Sequence, residues 1–260
     1  MAARERRLVF GEDAELYDRA RPSYPGTLVA ELVGLVGNGG ARVVDVGCGT
    51  GKALRLLARK GMRGVGVEPH PAMAEVARRR IPEGADWRVD VCDFERWEPR
   101  PGDAPADLVT SAQAWHWIDP EVRMRKAHGL LRPGGWLALW WNVSSEDNDT
   151  PVDDALAGAY EEHAPEVGGL PSINDPDPDG WPGAAHGLEF GPPLERDFPW
   201  TQAYTTEEWV ELLRTHSNHR LLAPDRLDRL LAAVANVIDD HGGLYHHRYV
   251  CQLWSTQRLR

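Results

Sequence analysis

The chain has 260 residues, of which 42% are hydrophobic, and a formal net charge of -11 at pH 7. This length suffices for one large α/β domain with an inserted segment, and the hydrophobic content is adequate for its core. The negative charge repels phosphate backbones, which argues against a nucleic-acid partner and favours a small molecule.

The N-terminal segment, residues 8–25, mixes aromatic and charged side chains ahead of the first helix, predicted over residues 27–36. It is too polar for a core and too aromatic for a free tail. We therefore predict a clasp on the surface of the domain. A glycine-rich link at residues 37–40 then leads into the first strand.

The most informative motif is VVDVGCGTG at residues 43–51, a buried apolar strand followed by three alternating glycines. Apolar residues at helical spacing come next, so the glycines occupy a strand-to-helix turn. Glycine lets the backbone adopt positive φ and approach a ligand closely. The motif predicts a cofactor-binding turn.

The spacing of the glycines bears on which cofactor binds. A dinucleotide fingerprint G-x-G-x-x-G would need glycine where Lys52 stands, because Gly51 comes one residue too early. NAD is therefore the less favoured cofactor. A phosphate-binding loop is also disfavoured, since Lys52 and Ala53 are not preceded by glycines at the G-x-x-x-x-G spacing.

The next elements extend a β-α-β pattern. A second strand at residues 64–68 ends in Glu68, where a doubly wound sheet presents a carboxylate to ribose hydroxyls. A helix containing Met73 follows, then a strand at residues 87–91 with Asp93 and Phe94 in the loop beyond it. These residues predict an adenosine site along one edge of the sheet.

A fourth strand at residues 106–112 precedes the aromatic turn QAWHWIDP and a helix that continues to residue 131. An RPGG turn and a strand at residues 136–141 lead to Asn142. His116, in the aromatic turn, is the candidate base, because imidazole has a pKa suited to proton transfer at neutral pH. A hydrogen-bonding role at the start of the helix is the competing interpretation.

The remainder is less regular. Residues 144–193 are rich in Asp, Glu, Pro and Gly, which predicts an inserted cap over the substrate. Strands at 194–201 and 248–256 and helices at 206–214 and 224–239 would complete the sheet. We predict an α/β fold with a doubly wound, mostly parallel, seven-stranded Rossmann-like sheet, divided into 1–143, 144–193 and 194–260.

Taken together, the glycine turn, Glu68, the residues after strand three and the RPGG turn resemble class I S-adenosylmethionine (SAM)-dependent methyltransferases. The likeness is to the small-molecule branch, type 11-like, and is specific from Val43 to Asn142. It implies methyl transfer from SAM, with S-adenosylhomocysteine (SAH) as product, to an O, N or C atom of a small acceptor. Nucleic-acid and protein amino-methyltransferases more often carry Asn/Asp-Pro-Pro-aromatic after strand four, where this chain has Ser111-Ala112-Gln113-Ala114.

The resemblance also assigns residues to roles. Tyr17 and Arg21 would approach the methionine end of SAM together with Gln113, Met73 would contact adenine, Asp93 would accept from its amino group, and Phe94 would use its backbone N–H. The remaining cofactor residues are those of the turn and the second strand end: Asp45, Gly47, Cys48, Gly49, Gly51, Glu68 and Pro69. The acceptor pocket would be lined by Trp115, Trp117, Trp141, Asn142 and Trp181.

Other classes of function stay open at this point. A SAM-binding protein without turnover, or a fold recruited to another reaction, would carry the same cofactor residues. The three cysteines and the histidines at 241, 246 and 247 lack metal-ligand spacing, so we expect reduced thiols, a solvated histidine loop and no metal. With no apolar run near the roughly 20 residues of a membrane span, we expect a cytoplasmic protein without membrane contact.

Overall fold

The computed structural model describes residues 13–37, 39–146, 148, 150–167 and 188–260. Trp181 and the first residues of the predicted clasp lie outside them. In the described part the strands are β1 Arg42–Val46, β2 Arg63–Glu68, β3 Trp87–Val91, β4 Ala106–Ala112, β5 Leu131–Ser144, β6 Leu194–Thr205 and β7 Leu244–Gln257. The helices are α1 Ala14–Ala20, α2 Gly26–Val36, α3 Lys52–Ala58, α4 Pro71–Arg80, α5 Pro120–Leu130, α6 Pro151–His163, α7 Thr206–Arg214 and α8 Pro224–Asp240.

The strands form one seven-stranded sheet in the order β3-β2-β1-β4-β5-β7-β6. Strands β1 to β5 are parallel, whereas β7 runs antiparallel to both β5 and β6. This confirms the predicted doubly wound, mostly parallel α/β sheet. The direction of winding reverses between β1 and β4, and such a reversal opens a crevice at the carboxyl ends of the two strands.

Helices cover both faces of the parallel strands, so consecutive strand residues enter different cores. Val43 and Trp140 pack with Leu54 on one side, while Val44 and Trp141 belong to the cluster on the other. A third cluster joins α6, α7 and α8 to β6 and β7 through Leu156, Tyr160, Tyr204, Trp209, Leu213, Leu230, Val234, Tyr245 and Tyr249. In the described residues no helix is both long and apolar enough to cross a membrane.

Strands β5, β6 and β7 are longer than the sequence predicts, and β6 continues to Thr205 instead of ending at residue 201. Strand β5 begins at Leu131, so the RPGG residues lie inside it, where the pairing with β4 shifts register and Gly134 adopts φ 76°. Strand β7 begins at Leu244, which places His246 and His247 in a strand. The prediction of a solvated loop is therefore wrong for His247, which is 1% exposed and contacts Ser144 and Tyr245.

The described part of the predicted clasp, residues 13–25, contains α1. Its Asp18 is buried and pairs with Arg55 of α3 at 3.1 Å and Arg80 of α4 at 3.3 Å. Arg19, one residue on, forms an ion pair with Glu211 of α7 at 2.6 Å. Helix α1 therefore links the glycine-turn side of the sheet to the C-terminal helices.

Candidate active site

A cleft lies at the carboxyl ends of β1, β2 and β4, the position where open α/β sheets bind ligands. It consists of two adjoining cavities of about 270 Å³ and about 120 Å³. They are joined through six residues that line both: Tyr17, Gly47, Gly49, Ala112, Gln113 and Trp117. The cleft is thus built from the motifs that the sequence singled out.

The glycine turn forms the floor between the two cavities. The backbone N–H groups of Gly47 and Cys48 both donate to the carbonyl of Val67, at 2.8 and 3.2 Å, which folds the turn against β2. Gly47 adopts φ 66°, and a Cβ there would lie 2.5 Å from the Cβ of Ala114. Position 47 therefore requires glycine for two reasons, its φ and the close approach of the loop after β4.

Gly51 has a different task from the other two glycines. It begins α3 with φ 81°, and a Cβ there would meet Ala77 of α4 at 3.2 Å. Gly51 is outside the residues that line either cavity, so it serves helix packing.

Glu68 stands at the end of β2 in the wall of the smaller cavity and is 7% exposed. Its Oε2 accepts the N–H of Gly49 and its Oε1 accepts the N–H of His70, both at 2.9 Å. The carboxylate is thereby fixed between the glycine turn and the start of α4. An ionised carboxylate only accepts hydrogen bonds, so this group is of the kind that suits ligand hydroxyls.

The rest of the smaller cavity is mostly apolar. Pro69, Met73 and Phe94 line it beside Glu68, so these four residues lie together. Asp93 does not line the cavity; its carbonyl accepts the backbone N–H groups of Arg96 and Trp97.

Asp45 is a buried acid below the larger cavity. Its Oδ1 accepts from the hydroxyl of Thr110 at 2.8 Å, whereas Oδ2 has no protein partner. Burial raises the pKa of Asp45 to about 7; the Thr110 hydrogen bond opposes this rise and the charge of Glu68 adds to it. A ligand cation next to Oδ2 would favour the ionised carboxylate.

Gln113 adopts φ 58°, a left-handed conformation that costs free energy in any residue other than glycine. Its N–H donates to the carbonyl of Trp140 at 3.0 Å, and its side-chain amide donates to the carbonyl of Asn142 at 3.2 Å. The side chain of Asn142, in turn, donates to the carbonyl of Ser23 and accepts from Trp200. Asn142 lines the larger cavity and also secures the segment after α1.

His116 lies in a short 3₁₀ turn, Trp115–Trp117, and lines the larger cavity. Its ring packs on Trp117 with centroids 4.6 Å apart, and Trp141 Nε1 lies 3.4 Å from His116 Nδ1. The expectation that Trp115 and Trp141 line the acceptor pocket is corrected, because both are buried in the core that contains Phe94. Trp141 acts on the cavity through His116.

Two cations lie at the end of the larger cavity nearest α1. Arg21 Nη2 donates to the carbonyl of Thr215 at 2.9 Å, and its guanidinium lies 5.2 Å from the centre of the Tyr17 ring. Lys52 Nζ donates to the carbonyl of Asp18 at 2.5 Å, and burial lowers the pKa of Lys52 to about 8. This end of the cavity is suited to an anion.

The loop after α7 closes the larger cavity with His216, Ser217 and Asn218, which the sequence analysis did not single out. The signal available in the sequence was weak, a polar run after an amphipathic helix. None of the described residues between 144 and 193 lines the cavity, and α6 instead packs in the C-terminal helical cluster. Among the described residues there is no group of three or more His, Cys, Asp or Glu arranged to hold a metal ion.

Comparison with known proteins agrees with this geometry. Residues 44–139 match the family described as "Methyltransferase domain". An uncharacterized methyltransferase of Mycobacterium bovis is 38% identical over 144 residues, 55% of this chain and 56% of that protein. The trans-aconitate 2-methyltransferase of Delftia acidovorans is 34% identical over 126 residues, 47% of this chain and 44% of that protein. The chain thus spans about half the length of the curated relatives that it matches.

Solved structures show the same architecture. A candidate type II methyltransferase from Anaeromyxobacter dehalogenans superposes with a TM-score of 0.61 at 22% identity, covering 92% of this chain and 98% of that one. The matched residues 44–139 contain the glycine turn, Glu68, Gln113 and His116. The predicted resemblance is confirmed: residues 44–139 are similar to the methyltransferase domain family, and the chain shares its fold with a solved methyltransferase structure.

Proposed function

We propose that the chain binds SAM in this cleft and methylates a small-molecule acceptor at an O, N or C atom. The observation that carries the proposal is the pair of adjoining cavities, with Glu68 in one and Asp45, Arg21 and His116 in the other. The groups present suit SAM: a fixed carboxylate for ribose hydroxyls, an unpartnered carboxylate oxygen for the ammonium, and a guanidinium for the carboxylate.

Bound SAM would supply an electrophilic methyl group on a sulfonium. The residues of this chain then need to orient the acceptor in line with it and exclude water. The net charge of -11 and the relative named as a trans-aconitate 2-methyltransferase both support a small acceptor over a nucleic acid. The division into 1–143, 144–193 and 194–260 stays part of the proposal, with 144–193 as the cap.

One contact, between Trp141 and His116, bears directly on the proposal that His116 is the base. A tryptophan N–H can only donate, so Trp141 favours the His116 tautomer whose Nδ1 is unprotonated and whose Nε2 carries the proton. In that tautomer Nε2 donates a hydrogen bond to the acceptor. Proton abstraction by Nε2 requires the opposite tautomer, and therefore loss of the Trp141 contact.

The cofactor assignment is tested by calorimetric titration with SAM, SAH and NAD in parallel. SAM and SAH are expected to bind and NAD is not. Glu68→Ala is expected to weaken SAH binding by about 1 to 3 kcal/mol, the cost of losing a buried hydrogen bond. Glu75→Ala, which removes an exposed acid of α4, is the control and should leave the affinity unchanged. NAD binding without SAM binding would refute the assignment.

The role of His116 is tested by transfer of a labelled methyl group from SAM to a panel of small acids, alcohols and amines. A base predicts that His116→Ala and His116→Gln both lose about 10²- to 10⁴-fold in rate, with loss of the acid limb of the pH profile. A donor predicts that His116→Gln retains most of the rate. SAH binding without transfer to any panel member would favour the SAM-binding protein without turnover.

A further inference from the structure

His216 and Arg21 are neighbours at the end of the larger cavity, although 195 positions separate them in sequence. Arg21 Nη2 donates to the carbonyl of Thr215, the residue immediately before His216, and both side chains line the cavity. His216 belongs to the loop after α7, outside the residues 44–139 that match the methyltransferase family.

Each of the two side chains has a buried nitrogen without a hydrogen-bond partner, Arg21 Nε and His216 Nε2. His216 is 6% exposed, so its imidazole cannot satisfy Nε2 with bulk water. An unsatisfied buried polar group costs the free energy of its desolvation. Two such groups in one cavity wall indicate a ligand with hydrogen-bonding oxygens.

The charges around His216 favour an anion as that ligand. Asp18, the buried acid of the clasp, is already paired with Arg55 and Arg80, so these two cations balance its negative charge. Burial, and then the charges of Arg21, His219 and His247, lower the pKa of His216 well below its usual value, which leaves a neutral ring that can donate one N–H. His219, 5.7 Å away, is committed to Tyr160 and Asn218.

We propose that His216 binds the α-carboxylate of SAM, donating one hydrogen bond while Arg21 donates to the same group. This inference rests on the proposed function and extends it, since residues 194–260 would then contribute to the cofactor site as well as complete the sheet. A carboxylate has two oxygens, which matches two adjacent donors.

The test compares SAM with decarboxylated SAM, which keeps the adenosine, sulfonium and ammonium groups. By calorimetry, His216→Leu is expected to weaken SAM binding about 10-fold or more and to leave decarboxylated SAM within about 2-fold. Arg21→Gln should show the same selective loss. Because both residues would contact one group, the loss in the double variant should be less than the product of the single losses.

Arg214→Gln is the matched control, since it removes an exposed cation at the end of α7, the helix that precedes His216. Arg214 pairs with Asp228 and does not line the cavity. Thermal unfolding confirms that each variant folds, and His216→Phe, which keeps a ring but has no donor, replaces His216→Leu if the latter does not. An unchanged SAM affinity, or an equal loss for both ligands, would overturn the role of His216. Absence of SAM binding to the wild-type protein would refute the proposed function instead.

Discussion

At the scale of single residues, the site is marked by polar atoms that lack protein partners. Asp45 Oδ2, Arg21 Nε and His216 Nε2 are all buried at the larger cavity, and none has a hydrogen bond. Each lowers the stability of the free protein and offers a contact to a ligand. The left-handed Gln113 beside them adds backbone strain. The free protein is therefore less stable here than packing alone would allow.

Asp45 gives a pH-dependent prediction for the free protein. Its pKa is about 7 when folded against 3.8 in a model peptide, so on raising the pH the unfolded chain ionises first. Stability should therefore fall between about pH 4 and pH 7 and then stay level. Asp45→Asn removes this dependence. The free energy of unfolding of the variant minus that of wild type should therefore rise by up to about 4 kcal/mol from pH 4 to pH 7.

The measurement is urea unfolding of both proteins between pH 4 and pH 8 without ligand. Asp228→Asn, which alters an exposed acid on α8, is the control and should parallel wild type at every pH. A constant difference between Asp45→Asn and wild type across this range would show that the folded protein does not hold the proton on Asp45.

At the scale of elements, the strands that carry the site could be predicted closely. The predicted third and fourth strands, at 87–91 and 106–112, coincide with β3 and β4. Strand β4 is a short, mostly buried apolar run, whereas β3 at the sheet edge alternates apolar and polar residues, and each pattern indicates a strand. Since β2 ends at Glu68 and β1 ends just before Gly47, the strand ends alone placed those residues on one edge. Local pattern was sufficient there.

Where long-range contacts decide, the sequence was not sufficient. The RPGG run reads locally as a turn, but β4 pairs on both sides of it, which turns it into an irregularity within β5. His247 reads as a polar loop residue until Ser144 and Tyr245 surround it. Trp141 follows Trp140, and alternation along β5 sends their side chains to opposite faces of the sheet. None of these contacts is encoded within a short window.

The larger cavity shows the same limit of sequence-based prediction, because the clasp and the loop after α7 both line it. Tyr17 and Arg21 line the larger cavity, and a short segment that resembles a family pattern was enough to single them out. His216 could not be singled out in this way, because its place in the cavity depends on β6 and β7 returning the chain to the sheet beside β5. Its closeness to Arg21 is a property of the complete topology.

At the scale of the whole molecule, the proposed cofactor cleft is bounded by segments near both ends of the chain. Helix α1 is joined to α7 by Arg19 and Glu211, and Arg21 reaches the carbonyl of Thr215. Both segments border the larger cavity, through Tyr17 and Arg21 on one side and His216 on the other. A ligand that binds both sides should therefore stabilise them together.

We expect saturating SAH to slow amide hydrogen exchange in residues 14–21 and 206–218 together, besides the glycine turn. NAD at the same concentration should slow neither segment. The measurement is hydrogen exchange followed by mass spectrometry on the full chain. Protection confined to residues 47–51 would mean that SAH binds the turn without engaging the clasp or the C-terminal wall.

Two substitutions in α1 separate this coupling from simple contact with the ligand. Asp18→Ala leaves Arg55 without its buried partner and should loosen α1, reducing the SAH-dependent protection of residues 14–21 and also of 206–218. Glu15→Ala removes an exposed ion pair with Arg79, which contributes little, and should leave both effects intact. The contrary outcome is that Asp18→Ala reduces protection in residues 14–21 alone. That result would show that residues 14–21 and 206–218 respond to the cofactor independently, and that the link through Arg19 and Arg21 has no role in binding.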